Sequence, residues 1–254
     1  MPNFEVSYIT KPRITKPVLI AGLPGIGNVG KVTVDFLVDS LGAKRFADIN
    51  SYYFPSSAFV NEENLVDLPQ VSLYYKRTKG CDIILLGGDV QPVDEASCYE
   101  FCSMVLDIFS KYGGREVITV GGIGLQRIPK SPKLYITGTD RKTIRRYKFC
   151  LHEIYGMVGP ILGVTGVLVG LAGRRHIPAV ALLAQTFAHP AYLGIKGSRE
   201  ALKAISARFG IKVDISGLDR EIDNLEHELR NKARQLSDMK QGAKPKLTKE
   251  SYFG

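Results

Sequence analysis

Residues 17–42 read PVLIAGLPGIGNVGKVTVDFLVDSLG. Val18 to Ala21 form a short apolar run stopped by Gly22, Pro24 and Gly25, the pattern of a buried strand. From Lys31 the period changes. Val34, Leu37, Val38 and Leu41 recur at spacings of three and four, which predicts a helix ended by Gly42. Between strand and helix lies GIGNVG, Gly25 to Gly30, a match to G-x-G-x-x-G, with Asp48 near the end of the next strand. In a dinucleotide site such glycines let a pyrophosphate reach a helix N-terminus, and the acid holds the ribose. Gly25, Gly27, Gly30 and Asp48 therefore define one candidate cofactor site. Leu23-Pro24 lengthens the turn before the first glycine, however, and a strand-to-helix turn needs glycine for steric reasons alone.

The same alternation continues along the chain. FADINSYYF and VSLYYKR read as strands, and DIILLGGDVQP as a strand ending in a Gly-Gly turn. DEASCYEFCSMVLDIFSKYGG reads as a helix, with acids at its start, Lys111 near its end and Gly113 after it. EVITVGGIG repeats the strand-then-glycine pattern, KLYITGTD and IPAVALLAQT are further strands, and SREALKAISARFGI is a helix. Strands alternating with helices imply an α/β fold, a three-layer α/β/α sandwich around a largely parallel, buried sheet.

The chain has 254 residues, 44% apolar and 23% charged, the composition of a globular protein able to bury a large core. Cys81, Cys98, Cys102 and Cys150 form no C-x-x-C pair, and Met1-Pro2-Asn3 does not open a secretory signal. A reduced, cytoplasmic protein with free thiols is expected. The net charge is +9, of which +4 falls in the last 24 residues, where six Lys or Arg meet two acids. Such a basic arm suits an acidic partner surface. No helix-turn-helix, zinc spacing or RNP-like motif supports nucleic acid as that partner.

Motifs for catalysis are sparse. His152, His176, His189 and His227 show no metal-ligand spacing, and no Ser occupies a G-x-S-x-G elbow. Asp89, Asp94 and Glu95 follow the Gly87-Gly88 turn and are read as helix-capping acids rather than acid–base groups. No metal and no cofactor is expected. Ile154 to Gly173 is uncharged for 20 residues, long enough to span a membrane, but Pro160 and six glycines make it a poor isolated helix. A glycine-faced helix packed on a sheet explains it without a membrane.

SGLDREIDNLEHELRNKARQ is the last regular element, with Leu218, Ile222, Leu225 and Leu229 spaced four, three and four. This stripe packs on its own domain or on another subunit. After Leu236 the chain is too polar to offset its ordering entropy. The organisation expected is a core over 1–215, an amphipathic helix over 216–236 and a flexible basic tail over 237–254 that ends Tyr252-Phe253-Gly254.

Read together, GLPGIGNVG, IILLGGDVQP, VITVGGIG, TGVLVGLA and IPAVALLAQT resemble the archaeal proteasome-assembly-chaperone-like proteins, relatives of the second eukaryotic proteasome assembly chaperone. The resemblance runs from about Val18 to about Gln235. It implies an α/β/α sandwich like that of nucleoside phosphorylases, no general enzymatic activity, and homo-oligomers, with tetramers and pentamers both represented. Under it the glycines of Gly25–Gly30 become turn-formers and 154–173 becomes core. Certain members resemble proteasome activators in ending hydrophobic–Tyr–any residue. Here Tyr252 takes the hydrophobic position, Phe253 replaces the tyrosine and Gly254 carries the carboxylate. The ring is kept and the phenolic hydroxyl lost, at a cost of about 1 kcal/mol. The expected partner is the proteasome core particle, through a pocket between its α subunits. The 15 residues from Ser237 to Ser251 span roughly 20 Å as a flexible coil, so the tail can reach beyond the body.

Overall fold

The computed structural model describes residues 3–147, 152–154, 159–189 and 192–220. The chain falls into two compact units, Met1–Asp214 and Ile215–Gly254. Within the first unit the opening stretch folds as β2 (Val18–Ala21), following an edge strand β1 (Glu5–Tyr8), then a 3₁₀ turn over Ile26–Asn28 and α1 (Val29–Leu41). Every residue of β2 is buried. Gly42 ends α1 in the left-handed region (φ 55°), where a Cβ would be strained.

β3 (Lys44–Asn50) leads to a small ribbon, β4 (Phe59–Val60) and β5 (Val66–Asp67), and then to β6 (Val71–Lys76) and β7 (Ile83–Gly88). α2 (Glu95–Lys111) is capped by Asp94, whose carboxylate accepts from the Ser97 amide at 2.9 Å and the Ser97 hydroxyl at 2.6 Å. The remainder is β8 (Glu116–Leu125), β9 (Leu134–Gly138), α3 (Arg141–Ile144), β10 (His152–Glu153), α4 (Gly163–Arg174), β11 (Ala179–Phe187) and α5 (Ile195–Phe209).

Among the described residues the main sheet runs β1-β3-β6-β7-β2-β8-β11-β9-β10. β7, β2, β8 and β11 pair in parallel. They read as continuous apolar runs because helices cover both their faces. α1 and α5 pack together on one face, and α2 and α4 on the other. The three-layer α/β/α sandwich is thus observed, but the sheet is mixed rather than largely parallel. β1, β3, β6 and β7 join by antiparallel pairings, and β9 runs antiparallel to β11. The sequence hides this, because an apolar run looks the same in either direction.

Of the uncharged segment, the part from Gly163 onward lies in α4. It buries Val164, Leu168 and Ala172 and leaves Gly170 exposed. Only one face of the helix is therefore core. Gly166 faces the backbone carbonyl of Ile161, so its missing Cβ admits the incoming chain rather than the sheet. No helix among the described residues is long and apolar enough to cross a membrane.

Candidate functional site

The four parallel strands all end at one rim of the sheet, and a cleft of about 690 Å³ opens there. That is the edge at which open α/β sheets place ligands. Its floor is the turn after β2, Pro24 to Asn28, and its walls are Asp89 to Val93 after β7 and Ala188-His189 after β11. Gln91 joins two of these loops. Its amide nitrogen donates to the Pro24 carbonyl at 2.8 Å, and its oxygen accepts from the Val164 amide at 3.3 Å. The His189 ring stacks on Phe187 with centroids 5.6 Å apart.

The glycines of the motif divide by role. Gly30 lies in α1 against the Val120 carbonyl and close to Gly22, so a side chain there would push the helix off the sheet. Gly27 has φ 60° and faces the Thr186 side chain. Both are demanded by the backbone path. Gly25 has an extended backbone (φ −169°), and a Cβ on it would meet nothing. Asp48 is not with them. It lies in β3, separated from β2 by β6 and β7, or roughly 14 Å at the usual strand spacing. There it accepts from the Ser72 hydroxyl at 2.8 Å and pairs with Arg45 at 3.4 Å. The structure thus brings Gly25 and Gly27 to the cleft, packs Gly30 against the sheet and leaves the acid elsewhere.

Charge near the cleft is internally matched. The Lys31 ammonium lies 3.1 Å from Asp35 and 3.2 Å from Asp89, and donates to the Gly88 carbonyl at 3.3 Å. Burial alone would lower the Lys31 pKa, but the two carboxylates outweigh it and hold it above its ordinary value. Burial, helped by the Asp89 and Asp39 carboxylates, raises the Asp35 pKa above its ordinary value against the pull of Lys31. Among the described residues no group of three or more His, Cys, Asp or Glu is placed to hold a metal ion.

Of the sequence-read partner residues, Leu218 is described and is buried. Ile222, Leu225 and Leu229, and the terminal Tyr252, Phe253 and Gly254, lie outside the described residues. The feature that sequence reading missed is the apolar character of the rim. Tyr52 is fully exposed, as are most of Val60, Val66 and Leu68. Ile26, Val93 and Leu162 add to it around the cleft, and Ile128 and Leu193 beyond it. The signal was present in FVNEENLVDL, 59–68, where apolar residues flank a polar turn.

The fold is that of a known family. The PAC2 family pattern matches residues 19–233, and the chain belongs to that family. It is similar to the crystal structure of Pyrococcus furiosus PbaB, an archaeal proteasome activator, at 28% identity, TM-score 0.84, covering 91% of this chain and 99% of that one. P. furiosus PbaA, an archaeal homolog of proteasome-assembly chaperone, shares the fold at 20% identity, TM-score 0.76, with 93% and 95% coverage. The uncharacterized Methanocaldococcus jannaschii protein MJ1210 is 26% identical over 99% of both chains.

Proposed function

We propose that this protein is a non-enzymatic, homo-oligomeric proteasome assembly chaperone or activator-like factor. It binds the core particle's α subunits in the cytoplasm. The observation that carries this reading is the likeness to an archaeal proteasome activator across nearly the whole of both chains. Tyr252 and Phe253 bury in a pocket between subunits, and the Gly254 carboxylate pairs with a pocket lysine. Aromatic rings give apolar contact at low rotamer cost, and the carboxylate sets the register. The basic residues from Lys232 to Lys249 favour encounter with an acidic ring face. Several tails on one oligomer raise the apparent affinity, provided they reach their pockets together.

Deleting Tyr252–Gly254 is expected to abolish capture of core particles in a pull-down. Unchanged capture refutes the tail mechanism. Phe253→Tyr should hold or tighten binding, and a large loss would mean a pocket of different chemistry.

One observation favours a second reading, a small ligand such as a nucleotide in the cleft. Gly25 faces open space there and nothing in the backbone path requires it. Calorimetry with NAD or a mononucleotide tests this. Gly25→Ala is the informative variant, since a side chain at Gly27 would strain the turn itself. Absence of saturable heat ends this reading.

A further inference from the structure

The ribbon β4–β5 is an arm without a cover. Phe59 and Val60 are adjacent, so they point to opposite faces of the ribbon, and both are exposed. Neither face therefore rests on the core. A two-stranded ribbon is not stable alone, yet this one is held in shape locally. The Asn61 side-chain oxygen accepts from the amides of Glu63 (3.1 Å) and Leu65 (2.9 Å), and its nitrogen donates to Asp67 at 2.9 Å. The arm's base is tied to the cleft. The Asp89 amide donates to the Gln70 carbonyl at 2.9 Å, and that of Val93 to the Tyr53 carbonyl at 3.3 Å. An arm held in shape by these bonds, with Phe59, Val60, Leu65, Val66 and Leu68 exposed, is pre-organised for a partner.

Charge identifies the partner. The arm, 59–68, carries Glu62, Glu63 and Asp67 and no base. At the other end of the same rim the loop from β8 to β9, 126–133, carries Arg127, Lys130 and Lys133 and no acid. All six are exposed, and among the described residues none is in an ion pair with another side chain. The arm rises beside β6 and the loop passes over β11, four strand spacings apart, or roughly 19 Å. The arm is thus −3 and the loop +3, and between them exposed Ile26, Val93 and Leu162 stand around a cleft whose Asp89 is already paired with Lys31. A surface of that kind is complementary to itself when turned by a two-fold axis.

We propose that the rim is an interface between two copies of this chain, related by a two-fold axis through the cleft mouth. The acidic arm of each copy lies against the basic 126–133 loop of the other. Aromatic side chains carry roughly 150–250 Å² each. The exposed apolar residues of the rim therefore offer several hundred Å², the order of the ~800 Å² per partner of a stable interface. Apolar burial supplies the affinity, and the charges fix the register and make it sensitive to salt. This rests on the homo-oligomer part of the reading above and not on the tail.

The test mixes full-length protein at natural isotope abundance with ¹⁵N-labelled protein and applies a zero-length carbodiimide cross-linker. Peptides joining Glu62 or Glu63 of one isotope to Lys130 or Lys133 of the other are expected. They should vanish in a Lys130→Gln/Lys133→Gln double variant. Leu68→Ser should weaken self-association about tenfold by light scattering, the effect of one buried apolar side chain. An oligomer that gives no mixed-isotope arm–loop link overturns this interface and leaves homo-oligomerisation standing. A chain that stays monomeric overturns both.

Discussion

The two ends of the parallel strands invert the usual distribution of residues. At the base, where β8 begins, a carboxylate is buried: Glu116 is 2% exposed. It accepts from the Tyr147 hydroxyl at 2.7 Å and from Arg208 at 3.1 Å, with Arg146 at 3.4 Å. The Arg208 guanidinium lies 4.8 Å from the Phe209 ring and 5.5 Å from that of Tyr147. At the rim, by contrast, large apolar side chains stand in solvent. The base satisfies its buried Glu116 carboxylate within one chain, though among the described residues the Arg208 Nε finds no acceptor. The rim leaves its apolar groups for something else. A substitution should therefore cost stability at the base and association at the rim.

The largest effect expected is at the base. Glu116→Ala strands Arg208 beside its aromatic neighbours, and breaking a buried pair from one side costs about 3–5 kcal/mol. For a chain of this size that is a fall in melting temperature of about 10 °C. A melt within 2 °C of wild type would erase the contrast between the two ends.

Next come the two glycines of one motif. Gly30→Ala overpacks α1 against the Val120 carbonyl and should cost about 1–3 kcal/mol. Gly25→Ala, in open space, should stay within about 0.5 kcal/mol of wild type. Equal costs in chemical denaturation would show that the loop, and not its helix-packing half alone, is structurally constrained.

At the rim, Tyr52→Ser should leave the melting curve of dilute protein within about 0.5 kcal/mol of wild type, while self-association weakens. A large loss of stability would show that the rim residues are intramolecular core after all.

The smallest effect is electrostatic. Burial raises the Asp35 pKa in the folded protein. Folding therefore favours its proton, and its charge opposes stability once the pH exceeds the unfolded carboxylate range. Asp35→Asn is expected to melt at or slightly above wild type at pH 7, the gap closing as the pH falls toward 4. A variant that melts well below wild type at pH 7 would mean that the Lys31 pairing dominates.

Much of this architecture was legible in the residues. The 3–4 spacing in 31–42 became α1, Asp94 and Lys111 marked the ends of α2, and the apolar runs became β2, β7, β8 and β11. Each signal is local, so reading it needs no knowledge of the rest of the chain. What stayed hidden depends on distant partners. EVSY carries no apolar run because β1 is an exposed edge strand. Strand direction depends on crossovers, so Asp48 could be placed near the glycine loop by sequence distance and still lie three strands away. The β4–β5 arm has strands of two residues, too short for any periodicity to emerge. The exposure of the rim is a property of the assembled loops, of which only 59–68 carries a signal of its own.

Under the proposed function two tasks fall to two places: the body would associate with itself, and the last three residues would engage the core particle. Light scattering of protein lacking Tyr252–Gly254, alone and mixed with core particle, measures both at once. The truncated protein is expected to keep the full-length oligomer mass and to form no complex with the particle. A complex of unchanged mass and stoichiometry would contradict this division of tasks.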